Sequence, residues 1–213
     1  MSNHNPERIQ DNAPEPISGA RLILVLGGAR SGKSTFAEKL AASSHQSVVF
    51  IATATADDAE MQARIERHRE TRPQFWQTLE EPLDLSGAIY RASQLADVLL
   101  LDCLTLWTSN WLFQQPDLVT EESIASEQLF ATSALKEIDS LLAVLRTLPA
   151  NKTLIVISNE VGLGIVPAYP LGRLYRDTLG YVNQRLAGVA ERVYFMIAGI
   201  AVDVKRLQEE AVL

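Results

Sequence analysis

Five stretches of the chain are apolar almost without interruption: "RLILVLGG" from Arg21, "SVVFIATA" from Ser47, "ADVLLLDCL" from Ala96, "KTLIVISNEVG" from Lys152 and "RVYFMIAGIAVDVK" from Arg192. Unbroken runs of this kind, rich in Val, Ile and Leu, predict strands buried on both faces. The segments between them change period. In "KSTFAEKLAASS", Phe36, Ala37, Leu40 and Ala41 share one helical face. "DDAEMQARIERHRETRP" predicts a second helix, capped by Asp57 or Asp58 and stopped by Pro73. A polar stretch with Trp76 leads to a third in "LDLSGAIYRASQL". "TLWTSNWLF" and the loop "QQPDLVT" follow, then a long amphipathic helix from about Glu122 to Leu145 with Leu129, Leu135, Ile138, Leu142 and Leu145 as its apolar positions. "YPLGRLYRDTLGYVNQRLAGVAE" is the last helical segment, and the closing run reads as one or two strands. Strands alternating with helices predict an α/β fold, a mostly parallel sheet with helices on both faces.

The first strand-to-helix junction carries chemistry. "GGARSGKS", spanning Gly27, Gly28, Ala29, Arg30, Ser31, Gly32, Lys33 and Ser34, fits G-x-x-x-x-G-K-[ST] at every fixed position. Glycines let the backbone curl so that successive N–H groups point at a phosphate, and the helix start adds its positive end. Lys33 is placed to reach the terminal phosphates, and Ser34 to bind Mg²⁺ through its hydroxyl. A second Mg²⁺ ligand is expected at the end of a neighbouring strand, and Asp102, the only charged residue of "VLLLDC", stands there. A strand-end Asp that caps the next turn is the competing reading. The junction therefore predicts a P-loop NTPase-like, RecA-like domain that binds a nucleoside triphosphate, without saying what becomes of it.

"ARIERHRETRP" is the other unusual segment, with four arginines around His68, one of only 3 histidines in the chain. On a helix, Arg64, His68 and Arg72 fall in one stripe. Arginine forks bind phosphate oxygens in pairs, and like charge favours the neutral imidazole that a nucleophile needs. Spacing alone leaves a second reading open: a solvated stripe in which Glu66 and Glu70 pair with their arginine neighbours.

These motifs together resemble the bifunctional adenosylcobinamide kinase / adenosylcobinamide-phosphate guanylyltransferase family of cobalamin biosynthesis. "LVLGGARSGKS", "FIATA", the basic segment, "LLLDCLTLW" with "SNWL", "VISNEVGLGIVP", "YRDTLGYVNQRLA" and the closing "GI" run in the family order from about Leu22 to Lys205. The resemblance implies that ATP or GTP phosphorylates adenosylcobinamide, and that GMP then passes from GTP through a guanylyl-histidine at His68 to give adenosylcobinamide-GDP. It implies nucleotide contacts at Ala52, Thr53, Ala54, Arg69, Glu70, Thr71, Arg72 and Glu80, besides the P-loop and Asp102. It further implies Mg²⁺ as cofactor and a homotrimer with the corrinoid between subunits; Trp107 and Trp111 read as core or interface residues, and an exposed tryptophan face would suit the trimer. Glu160 of "SNEVG" ends an apolar strand and has no assigned role. Two alternatives stand beside this reading. One is another P-loop small-molecule or nucleotide kinase. The other is a GTP-dependent switch protein, which the missing N-K-x-D motif disfavours.

Composition narrows the setting. A formal net charge of −7 argues against general nucleic-acid binding. No apolar run approaches the roughly 20 residues of a membrane helix. The single cysteine, Cys103, allows no intrachain disulfide and reads as a core thiol. A cytoplasmic location is expected. Residues 1–20 are polar and proline-bearing and read as a flexible tail, with residues 21–213 as one catalytic domain.

Overall fold

The computed structural model describes residues 19–55, 66, 72–114 and 124–211. Its strands are β1 (Arg21–Gly27), β2 (Val48–Ala52), β3 (Gln77–Glu80), β4 (Val98–Asp102), β5 (Thr153–Ile157), β6 (Arg192–Ile197) and β7 (Ile200–Asp203). They form a 7-stranded sheet in the order β3-β2-β4-β5-β1-β6-β7. Every pairing is parallel except that of β6 with β7, which is antiparallel. The helices are α1 (Lys33–Ser43), α2 (Leu85–Ser93), α3 (Leu104–Phe113), α4 (Ile124–Thr147), α5 (Pro170–Val189) and α6 (Val204–Ala211). β5 lies between the P-loop strand β1 and the Asp102 strand β4, and the sheet is mostly parallel with helices on both faces, as the α/β reading expected.

Side-chain alternation divides the strands between two cores. Leu22, Leu24 and Leu26 of β1 join Leu99, Leu101, Leu154 and Val156 against α2, α4 and α5. Ile23, Val25, Leu100, Ile155 and Ile157 face the other way, onto Ala37 and Ala41 of α1 and onto Trp76. Burial on both faces is why these strands read as continuous apolar runs.

Four features depart from the sequence reading. β3 pairs with β2 from the polar "QTLE", most of it exposed; a short edge strand with one water-facing side leaves no apolar signature. α6 ends the described chain with no buried residue, so it too had no core stripe to announce it. In α4, Leu129 is exposed while the adjacent Phe130 is fully buried, so the apolar stripe runs through Phe130, Ala134, Ile138, Leu141 and Leu145. The tryptophans take the core alternative and form no exposed face: Trp107 is fully buried and donates its indole N–H to Leu83 O at 2.8 Å, and the part-buried Trp111 donates to Ser133 Oγ at 3.0 Å. The proposed second helix, His68 within it, lies outside the described residues apart from the helical Glu66 and from Arg72 and Pro73, which are not helical.

Candidate active site

β1 delivers its last residue into the P-loop at the carboxyl edge of the sheet. Gly27 has φ 150° and Gly32 has φ 94°, backbone settings that favour glycine. Space is closed to a side chain at Gly27 and tight at Gly32. A Cβ on Gly27 would lie 2.7 Å from Met196 O, and one on Gly32 would lie 3.3 Å from the Cα of Gly199. Gly199, at the tip of the β6–β7 hairpin, donates its N–H to Ser31 O at 3.0 Å. The hairpin thus braces the phosphate loop from behind. Arg30, also at positive φ (56°), completes the curl.

α1 begins at Lys33 with no side-chain cap and no acidic residue in its first turn. An uncapped, unneutralised helix start is the arrangement that favours a bound anion. Lys33 is buried, and its ammonium donates to Gly28 O at 2.6 Å. The lysine is therefore already folded over the loop it would share with a phosphate.

The Asp102 strand end is fastened to its neighbours. Asp102 is level with Ala52 of β2 and with Ile157 of β5. Thr53, fully buried, donates its hydroxyl to Cys103 O at 2.8 Å and accepts the Cys103 N–H at 2.9 Å. Thr53 N–H donates to Asp102 O at 3.2 Å, and Asn110 Nδ2 donates to Thr53 O at 2.8 Å. Thr53 accordingly spends its polar groups holding the ends of β2 and β4 together, while Ala52 and Ala54 flank it. Burial, with Asp102 adding to it, pushes the Cys103 thiol up to about 11, which makes it a packed thiol and not a nucleophile. Glu80 closes β3 opposite Ala52, on the exposed sheet edge.

Arg72, the last arginine of the basic segment, turns inward. Its guanidinium carbon lies 3.4 Å from the centroid of the Phe50 ring, and its Nε lies 3.8 Å from Glu38 Oε1. Glu38 sits one turn beyond Ser34 on α1. Burial raises the Glu38 carboxyl above its ordinary range, Arg72 opposes this, and Asp102 adds to it. Ser34, Glu38, Asp102 and Arg72 therefore surround one patch of ground beside the phosphate loop. The sequence reading missed Glu38; its i+4 spacing from Ser34 was the available signal. His68, Arg69, Glu70 and Thr71 lie outside the described residues.

Beyond β5, Glu160 donates its N–H to Gly27 O at 3.2 Å, and its carboxylate accepts the Gly162 N–H at 2.9 Å. It lines a cleft of about 460 Å³ with Leu26 and the α5 residues Arg176, Tyr181 and Gln184. A second hollow, about 230 Å³ and lined by Arg21, Gln46, Val98 and Thr153, opens at the opposite end of the sheet, away from the P-loop.

The model of the family described as "Cobinamide kinase / cobinamide phosphate guanyltransferase" matches residues 23–204. The bifunctional adenosylcobalamin biosynthesis protein CobP of Pseudomonas aeruginosa is 43% identical over 183 residues, 85% of this chain and 96% of that protein. The CobU proteins of Escherichia coli and Salmonella typhimurium are 43% and 40% identical, each alignment covering 86% of this chain and 99% of the relative. A crystal structure of the RadB recombinase matches at a TM-score of 0.41 and 17% identity, covering 82% of this chain and 73% of that one.

Proposed function

The chain belongs to the cobinamide kinase / cobinamide phosphate guanyltransferase family, and on that premise we propose that it works in two stages at one phosphate loop. In the first, the side-chain hydroxyl oxygen of adenosylcobinamide attacks the γ-phosphorus of ATP or GTP. The β–γ bridging bond breaks, the nucleoside diphosphate leaves and the hydroxyl proton passes to solvent. In the second, a neutral nitrogen of His68 attacks the α-phosphorus of GTP and expels pyrophosphate. A phosphate oxygen of the cobinamide phosphate then displaces the histidine, breaking the P–N bond and releasing adenosylcobinamide-GDP. Splitting the transfer at a covalent histidine gives it ping-pong character.

The observation that carries this reading is that the matched span, residues 23–204, contains both the phosphate loop and the His68 segment. Phosphoryl transfer asks the protein chiefly for positioning and charge neutralisation. The curled backbone from Gly27 to Gly32, the uncapped start of α1 and the Lys33 ammonium are suited to both. Ser34 and Asp102 are hard oxygen donors of the kind Mg²⁺ takes, and Asp102 acts electrostatically on Glu38, one turn from Ser34. No cluster of three or more metal-ligating side chains occurs among the described residues; nucleotide phosphates and water would complete the coordination. When bound, Mg²⁺ supplies charge neutralisation on the phosphates. Arg69, Thr71 and Arg72 would hold nucleotide phosphates beside His68, Glu70 would contact the nucleotide elsewhere, and Glu80 would accept from the guanine edge. Arg72 would act from its seat on Phe50 and Glu38.

The reading extends to a homotrimer in the cytoplasm. The exposed Leu163, Ile165, Val166 and Tyr169, between β5 and α5, are the apolar surface that favours self-association. No described helix is long and apolar enough to cross a membrane.

The test is incubation with Mg²⁺ and GTP labelled at the α-phosphate. The expected product is a protein adduct, acid-labile and base-stable, that maps to His68 and is lost in His68→Ala while kinase turnover persists. An adduct on His45 or a lysine, or no adduct at all, would refute the assignment.

A further inference from the structure

α5 contains a glycine that packing does not explain. A glycine inside a helix is less favourable than alanine, because its backbone loses more freedom on folding. Near the start of α5, Gly172 has a packing reason: a Cβ there would lie 2.6 Å from the Tyr169 ring. At Gly180 a Cβ would meet nothing within 4 Å beyond the helix's own backbone and its chain neighbours. The space before it is the cleft of about 460 Å³, which Gly180 lines with Leu26, Glu160, Arg176, Tyr181 and Gln184. The missing side chain keeps that cleft open.

The cleft adjoins the phosphate loop. Leu26 precedes Gly27 in the chain, and Glu160 N–H donates to Gly27 O at 3.2 Å. Leu26 belongs to the α5 face of the sheet, whereas Arg72 lies over Phe50, on the α1 face. The cleft and the inward end of the basic segment therefore flank the loop from opposite sides. Phosphoryl transfer sets the attacking and leaving atoms roughly in line, so an acceptor has its approach here. The lining residues select its chemistry. Arg176 turns its guanidinium to the adjacent Asp177, donating from Nε at 3.0 Å, which leaves Glu160 as the remaining charge. A carboxylate repels a second phosphate chain. With Tyr181 and Gln184 beside it, Glu160 matches neutral carboxamides, each of which brings donors and an acceptor. The chain leaving Gly162, itself a lining residue, exposes Leu163, Ile165 and Val166 before α5 begins at Pro170.

We propose that this cleft is the acceptor site: it takes an apolar ring edged with carboxamides, the corrinoid of adenosylcobinamide, and turns its hydroxyl arm toward Gly27. Gly180 leaves room for the ring edge, Glu160, Tyr181 and Gln184 bind the carboxamides, and Leu163, Ile165 and Val166 meet the apolar face. This rests on the reading of the chain as a cobinamide kinase.

The experiment is equilibrium dialysis of dicyanocobinamide, followed by its visible absorbance, against the unmodified chain, Gly180→Ala, Gly180→Phe and Glu160→Gln. Binding of a non-hydrolysable GTP analogue with Mg²⁺ is measured on the same preparations. A Cβ at Gly180 clashes with nothing, and both replacements favour helix over glycine, so neither should lower the melting temperature. Gly180→Phe should weaken corrinoid binding about tenfold or more and Gly180→Ala by less, with analogue affinity changed less than about twofold. Glu160→Gln keeps the side-chain shape and should weaken it about fivefold, one hydrogen bond's worth. Unchanged corrinoid binding in Gly180→Phe, or equal loss of both ligands, would overturn the assignment. So would a loss accompanied by a changed elution volume in size-exclusion chromatography, which would give the cleft to a second copy of the chain. Failure of the underlying reading looks different: the unmodified chain itself would not bind the corrinoid, and the site would fall with it.

Discussion

α1 and α2 face the same physical problem and resolve it in opposite ways. Each helix begins with backbone N–H groups that have no partner within the helix. At α2 the protein supplies the partners itself. Leu85 N–H donates to Leu83 O at 3.0 Å, Ser86 N–H to Glu137 Oε1 at 3.1 Å and Gly87 N–H to Asp84 Oδ1 at 2.8 Å. At α1 no side chain caps the start, no acid neutralises it, and the residue before it is a left-handed glycine. A structural helix closes its own end, whereas a phosphate-binding helix keeps that end available. The unmet cost at α1 becomes affinity for an anion.

Breaking the open end should cost function first. Gly32→Ala forces a side chain into a left-handed backbone and against Gly199. Strain of about 1–3 kcal/mol is expected, with at least a tenfold loss of triphosphate affinity by titration calorimetry. Arg72→Ala probes the seam between the basic segment and α1. Removing a cation stacked on Phe50 and leaving Glu38 buried should lower unfolding free energy by about 2–3 kcal/mol, measured by urea denaturation. A change within error would mean that the contact is dispensable.

The closed end should respond in stability alone. Asp84→Ala removes the α2 cap and should cost about 1 kcal/mol, with nucleotide affinity unaltered; a loss of affinity would blur the distinction between the two helices. Glu137→Gln gives the smallest and most pH-dependent effect. Burial raises the Glu137 carboxyl, outweighing the Ser86 N–H that favours its charged form. A raised folded value means that the folded state holds the proton longer, so the stability it contributes is present at low pH and lost as pH climbs through the carboxylate range. The melting temperature of Glu137→Gln should therefore rise relative to the unmodified chain as pH goes from about 4 to about 7. The opposite slope would refute the sign.

What the sequence disclosed, and what it withheld, follows the same division between local and distant causes. The phosphate loop is legible because glycine, lysine and serine must stand at fixed spacing for the backbone to curl, and β1, β2, β4 and β5 are legible because burial on both faces demands unbroken apolar runs. β3 and α6 escaped because neither buries a stripe. Arg72 could be read as a phosphate ligand but not as the partner of Phe50, since that contact joins residues 22 positions apart through the fold.

The central claim is that one open helix end serves both group transfers. Lys33→Ala tests it most directly, with GMP adduct formation and kinase turnover measured side by side on the same preparation. The account predicts that both collapse together, because the ammonium that folds over Gly28 neutralises phosphate charge in each stage. Loss of kinase turnover with full adduct formation would show two independent nucleotide sites and contradict the account.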